Sequence, residues 1–233
     1  MSLKLHSVTR RHIKTVFDSL DYDTLGPIYC DEGGAAFWRD RRPSCERLGV
    51  RLAATLKERL SQTGRSLYVG AGIAELPMMI MEAEELHRDV AAYNLREREV
   101  REMNRACHHL TLRIQTSPAE MAHGSFDHVW LVSVLNDPER FPELSALSYG
   151  RATPLHFQAQ VFLQEREAVL TLTRQCLNKL RLPGLVTTSI EEIPWIVHWC
   201  EHHHLAYRVG ERDYPTAIVG DPVCFIDIGS GEC

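Results

Sequence analysis

The stretch Leu67-Tyr68-Val69-Gly70-Ala71-Gly72-Ile73-Ala74-Glu75 carries the clearest chemical signal in this chain. An apolar run enters two glycines separated by one residue, and an apolar helical pattern at Leu76, Met79, Ile80 and Ala83 follows at once. Glycines at such a turn allow positive φ and bring backbone N–H groups close to a ligand, while the next helix N-terminus adds partial positive charge. The chemistry that suits this arrangement is the cradling of a cofactor. A dinucleotide-binding turn would carry a third glycine at position 75, where this chain has Glu75. A turn that only joins strand to helix has the same signature.

Other reactive residues point less clearly. His198 and His202 lie four apart on a helical pattern and share a face, as zinc ligands do, but Trp199 stands where a metalloprotease has Glu. Imidazoles near a helix C-terminus are also favoured by its dipole, and Cys107-His108-His109 reads in the same way, so no metal site is expected. Ser133 lacks the glycines of an esterase elbow, and Met78, Met79 and Met81 read as core. Seven cysteines, an odd number without a C-x-x-C pair, read as reduced thiols.

The elements that must position the loop follow from periodicity. Ile13, Val16, Phe17 and Leu20 give one amphipathic helix over Ser7 to Leu20. Asp21 to Gly34, with its acids, glycines and Pro27, reads as a loop that could fold over a site. A second helix is expected from Pro43 to Leu60, with Leu48, Leu52, Leu56 and Leu60 as its stripe. Strands are expected at Val90–Tyr93, Leu110–Ile114, Phe126–Leu135, Gly184–Ser189, Leu205–Val209 and Val223–Ile228. Helices are expected over Leu95–Cys107, Leu155–Leu180 and Ile193–His204, with Glu139 to Pro154 an extended insert. Strand and helix alternation implies an α/β, doubly wound, mostly parallel sheet, and the last two strands, joined through turns, imply an antiparallel C-terminal strand.

With 233 residues, 44% hydrophobic and 24% charged, the chain can bury a substantial core. A net charge of -5 provides no field to gather nucleic acid or anionic lipid. No run approaches the roughly 18 apolar residues of a membrane span. Lys4, His6, Arg10, Arg11 and Lys14 do not make a signal peptide, so a cytoplasmic location is expected.

From about Arg65 to Ile228 this order of motifs resembles the class I S-adenosylmethionine-dependent methyltransferases, whose loop carries a small residue and then an acid where this chain has Ala74 and Glu75. The resemblance implies a Rossmann-like seven-stranded domain over residues 64–233, a helical cap over 1–63, S-adenosylmethionine as cofactor and a small-molecule acceptor. Packing alone accounts for the leader equally well. It further implies cofactor contacts at Tyr68, Gly70, Ala71, Gly72, Glu75, Asn94, Leu95, Ser117, Ala119 and Asn136.

Three of these depart from the family: Tyr68 replaces an acid near the methionine ammonium, Asn94 replaces the ribose-binding acid, and Ser117-Pro118-Ala119-Glu120 replaces an Asp-Ala pair at the adenine. The family's reacting centre maps to Leu135-Asn136-Asp137-Pro138, although a turn begun by Asp137 fits the same residues. Asp137, His156 and Tyr22 are the general-base candidates, a base being required only where the nucleophile must lose a proton. A non-catalytic or regulatory binding protein on this fold, and a nicotinamide-dependent oxidoreductase, are the alternatives. The family also allows a homodimer.

Overall fold

The computed structural model describes residues 4–30, 34–153, 155–218 and 221–229. Its strands are β1 (Arg65–Val69), β2 (Asp89–Tyr93), β3 (Ile114–Gln115), β4 (Phe126–Leu131), β5 (Leu180–Ser189), β6 (Tyr207–Val209) and β7 (Val223–Ile228). They form one seven-stranded sheet in the order β3-β2-β1-β4-β5-β7-β6. β1 pairs parallel with β2, β2 with β3 and β4 with β5, whereas β7 pairs antiparallel with both β5 and β6. This is the mostly parallel sheet with an antiparallel C-terminal strand that the alternation implied. The chain forms two compact units, one running to Ala122 with a segment from Tyr214, the other His123–Asp213 with a segment from Asp221.

In the first unit α1 (Ser7–Ser19) buries Ile13, Val16 and Phe17 as its periodicity requires. The segment read as a loop is instead α2 (Tyr22–Tyr29), with residues 31–33 outside those described. Its start is fixed by Asp21, whose carboxylate accepts from the N–H groups of Asp23 and Thr24 and from the Thr24 hydroxyl. The acids that suggested a loop are therefore a helix cap.

The helix expected from Pro43 begins earlier, as α3 (Gly34–Lys57), with Pro43 inside it. Phe37 and Trp38 supply the reason: they pack on Tyr29 with ring centroids 5.9 and 4.9 Å away, and Trp38 is 1% exposed. Burying Trp38 and part of Phe37 stabilises by several kcal/mol, about the size of the ~3 kcal/mol that an internal proline costs. The buried face of α3 is Cys45, Gly49, Leu52, Ala53 and Leu56, while Leu48 and Leu60 are only half-buried. A Cβ at Gly49 would lie 2.5 Å from Pro77 Cγ, so glycine lets α3 approach α4 (Leu76–Glu84) closely. Met78, Met79 and Met81 are core residues of α4, as expected. α5 (Glu97–Ala106) carries the expected surface pair, Arg101 to Glu97 at 2.6 Å. Leu110 and Leu112 are buried but lie before β3, which keeps only Ile114 and Gln115 of the expected strand.

In the second unit β4 stops at Leu131, short of the expected Leu135, and Ser133 is left-handed at φ 56°. The insert contains a helix, α6 (Pro142–Ser148), opened by Pro142 in its first turn. α7 (Ala159–Leu177) is shorter than expected at both ends, and Pro154 lies outside the described residues. Arg181, Pro183 and Gly184 belong to β5, which starts four residues before the expected Gly184; pairing passes from Phe126–Leu180 to His128–Leu185 and the intervening residues bulge. α8 (Ile193–His202) and β7 lie where they were expected, except that α8 ends two residues earlier. Gly220 and Cys233 lie outside the described residues. Among the described residues no helix is long and apolar enough to cross a membrane.

Candidate cofactor site

At the carboxyl end of β1 the chain turns through Gly70, at φ 70°, a conformation that glycine adopts without strain. The Ala71 N–H then donates to the Tyr93 carbonyl at the end of β2 (2.8 Å), which ties the loop to the neighbouring strand. Gly72 is extended and opens a single 3-10 turn, Ile73–Glu75, that leads directly into α4. Its N–H donates to the Glu75 carboxylate at 2.9 Å, and the Ile73 N–H reaches the Tyr29 hydroxyl at 3.4 Å.

Gly72 lies on a seat of oxygen atoms. A Cβ there would stand 3.1 Å from Glu99 Oε1, 3.1 Å from the Tyr29 hydroxyl and 3.3 Å from Glu75 Oε2. The Tyr29 hydroxyl donates a hydrogen bond to Glu99 Oε1. Glu99 is 1% exposed, and burial raises its pKa above the usual carboxylate range although Tyr29 and Asn94 both donate to it. Burial, and then the Glu99 charge, also raise the Tyr29 phenol far above its ordinary value, so it is a neutral donor.

Asn94 does not present an open side chain. Its Nδ2 donates to the Ala71 carbonyl (2.9 Å) and to Glu99 Oε2 (3.1 Å), and its Oδ1 accepts the Arg96 N–H (2.8 Å). An acid at 94 could make neither donation, which explains the amide at this position. Tyr68 is buried on β1 and donates to Glu82 Oε1 at 2.6 Å, within a network where Glu82 also pairs with Arg88 Nε at 2.9 Å and Arg88 Nη2 donates to Ser66 Oγ at 2.9 Å. This network joins β1 to α4, so the Tyr68 hydroxyl is spent on the scaffold. Leu95 is 57% exposed beyond β2 and Met121 is 62% exposed beyond β3, with Ser117 half-buried and Ala119 buried between.

Of the expected bases, Tyr22 is in the first unit, where its hydroxyl donates to the Phe17 carbonyl at 2.7 Å and burial raises its pKa. Asp137 and His156 are in the second. Asp137 Oδ1 accepts the Glu139 N–H (3.0 Å) and its carbonyl accepts the Phe141 N–H (2.7 Å), which is the turn geometry the sequence left open. His156 is exposed.

The turn after β4 is organised by a residue that sequence reasoning missed, Glu192. Its carboxylate accepts the N–H groups of Ser133 (3.0 Å), Val134 (2.6 Å) and Leu135 (2.5 Å) and the Ser189 hydroxyl (2.8 Å). Asn136 follows, 1% exposed, donating to the Tyr149 hydroxyl at 2.9 Å, while its Oδ1 is buried with no hydrogen-bond partner among the described residues. Tyr149 in turn donates to Asp221, and its pKa is raised by burial and by that carboxylate. Among the described residues no cluster of His, Cys, Asp and Glu could hold a metal; His198 and His202 stack at 6.5 Å.

Solved structures match this chain over 94% of its length in one case and over 78% in another. One is the magnesium protoporphyrin IX methyltransferase (ChlM) from Synechocystis PCC 6803 with bound SAM, at 12% identity over 94% of this chain and 96% of that one, with a TM-score of 0.54. The chain has the class I methyltransferase fold. P. horikoshii TYW2 in complex with MeSAdo matches at 9% identity over 78% of this chain and 62% of that one, with a TM-score of 0.50. No protein-family model and no curated protein sequence matches it. On this methyltransferase fold, the glycine loop after β1, the Asn94 turn after β2 and the Ser117–Ala119 turn after β3 are carboxyl-end loops of a parallel sheet, where such folds take ligands.

Proposed function

We propose that this chain is an S-adenosylmethionine-dependent methyltransferase of the cytoplasm that acts on a small-molecule acceptor, with residues 64–233 as the catalytic domain and the N-terminal helices as its cap. The observation that carries this reading is the seat at Gly72, where a residue without a side chain meets the oxygens of Glu99, Tyr29 and Glu75 at the carboxyl end of a parallel strand. That donor and acceptor set fits a nucleoside: N–H groups at Gly72 and Ile73, a carboxylate at Glu99, and exposed apolar side chains at Leu95 and Met121. Gly70, Ala71, Gly72, Glu75, Asn94, Leu95, Ser117 and Ala119 hold the cofactor in this reading. Tyr68 supports the loop from behind, through Glu82.

The cofactor's sulfonium supplies an electrophilic methyl group, so the protein has chiefly to orient the acceptor and exclude water. If the acceptor must lose a proton, Asp137 and His156 are the candidates to accept it, because the neutral Tyr22 phenol is already a donor to the Phe17 carbonyl. A second reading, ligand binding without turnover, is favoured by one observation: the N–H groups of Gly72 and Ile73 are already answered by Glu75 and Tyr29.

Calorimetric titration with S-adenosylmethionine and, separately, with NAD tests the proposal. Saturable binding of S-adenosylmethionine alone is the expected result. Binding of NAD without S-adenosylmethionine would assign the loop to an oxidoreductase. Tight S-adenosylmethionine binding with no methyl transfer to any offered acceptor would favour the second reading.

A further inference from the structure

The three family acids replaced at Tyr68, Asn94 and Ser117 leave open which carboxylate would meet a nucleoside's sugar. The geometry points to Glu99. It lies in the first turn of α5, and its side chain turns inward to the Gly72 seat, away from its solvent-facing neighbour Glu97. Among the described residues no Lys or Arg makes an ion pair with it, and Arg96 acts on it only through space. A buried carboxylate without a cation is costly to keep unless hydrogen-bond donors answer it. Here two donors do: the Asn94 amide on Oε2 and the Tyr29 hydroxyl on Oε1.

Tyr29 identifies the kind of group the seat accepts. Its hydroxyl donates to a carboxylate and accepts a long hydrogen bond from the Ile73 N–H, the pair of interactions that a sugar hydroxyl would offer at the same position. The phenol does not belong to the loop or the sheet. It is carried in from α2, the short helix that contains Gly26 and Pro27. Its ring leans edge-on against Trp38, whose indole N–H is buried without an acceptor among the described residues.

We propose that Glu99 is the receptor for the vicinal ribose hydroxyls of the cofactor, and that the Tyr29 hydroxyl occupies this position in the ligand-free chain and leaves it when the ligand binds. The inference rests on the proposed cofactor reading and extends it: the acid has moved from position 94 into α5, and the N-terminal helices hold its occupant. Asn94 is then a positioning residue that clamps Glu99 to the loop carbonyl at Ala71.

The test is calorimetry on the full chain with two probes, S-adenosylhomocysteine and its 2′,3′-dideoxy analogue. Tyr29→Phe removes the competing hydroxyl and should tighten S-adenosylhomocysteine by about fivefold. Glu99→Gln should weaken it by about tenfold or more, yet leave the dideoxy analogue within about twofold of wild type, because the lost partner hydroxyls are already missing. Glu99→Asp, which withdraws the carboxylate by one methylene, should behave as Glu99→Gln does and covers failure of the latter to fold. Equal weakening of both probes by Glu99→Gln overturns the assignment of the hydroxyls. Weaker binding by Tyr29→Phe overturns the displacement and makes Tyr29 a ligand. A wild type that binds neither probe, together with a Tyr29→Phe variant that also binds neither, refutes the cofactor reading itself; binding by Tyr29→Phe alone supports the displacement.

Discussion

Glu192→Gln tests whether one buried carboxylate builds the turn that follows β4. The wild-type side chain is wholly buried and answers three consecutive N–H groups, those of Ser133 and Val134 and Leu135, as well as the Ser189 hydroxyl. An amide keeps one oxygen. The best orientation gives it to Val134 and Leu135 and places the new NH₂ against the Ser133 N–H, a donor facing a donor at 3.0 Å. Loss of one hydrogen bond to a charged acceptor costs about 1.5–3 kcal/mol, and the Ser189 hydroxyl can rotate to accept from the amide and recover part of it. Relief of charge burial offsets some more, which leaves a net loss of about 2 kcal/mol near neutral pH, or roughly 4–8 °C in Tm for a chain of this size.

The pH dependence has a definite sign. Burial raises the Glu192 pKa above 4.5, so the folded state binds a proton more readily than the unfolded one. The group's contribution is complete below the unfolded value and declines as pH rises through the folded value. The Gln variant has nothing to titrate there, so the difference in stability between wild type and variant should be larger at pH 4 than at pH 8. Urea and thermal unfolding at both pH values measure this. A Tm within about 1 °C of wild type at both would refute the claim that Glu192 holds the turn.

Further perturbations address the first unit. Gly49→Ala puts a methyl group into the Pro77 ring and should destabilise by about 1–2 kcal/mol, despite alanine's better helix propensity; thermal unfolding reads this directly. Arg88→Ala leaves the fully buried Glu82 without its cation and should cost about 3–5 kcal/mol, whereas replacing both by apolar residues should recover much of the loss, as measured in urea. Asn94→Asp sets a carboxylate against the Ala71 carbonyl and Glu99, and should cost about 2–4 kcal/mol at neutral pH. Because both acids are then raised, that loss should shrink as pH falls toward 4, which melting curves across the range would show.

What could be read from the chain depended on how local each signal was. The glycine loop declares itself because strand, turn and helix all lie within Leu67 to Glu84, and β7 runs over the residues its apolar pattern marked. α2 was missed although its cap was present in Asp21-Tyr22-Asp23-Thr24, because Gly26 and Pro27 outweighed a helix of eight residues. Glu99 and Tyr29 are 70 positions apart, so no spacing could pair them. A closer reading of α5 could have separated Glu99 from Glu97, since Glu99, Val100, Met103 and Ala106 share the buried face at helical spacing. Glu192 was hidden in another way: its neighbour Glu191 is an exposed acid of identical type, and only the fold decides which of the two turns inward.

In the proposed function the loop from Gly70 to Ile73 is the seat of S-adenosylmethionine. Backbone amide NMR of the ¹⁵N-labelled chain, titrated with S-adenosylmethionine, tests it at the atoms concerned. Saturable shifts are expected at the amides of Gly70, Ala71, Gly72 and Ile73, accompanied by Glu99 and by the Tyr29 end of α2. Saturable binding that leaves those amides unmoved would contradict it.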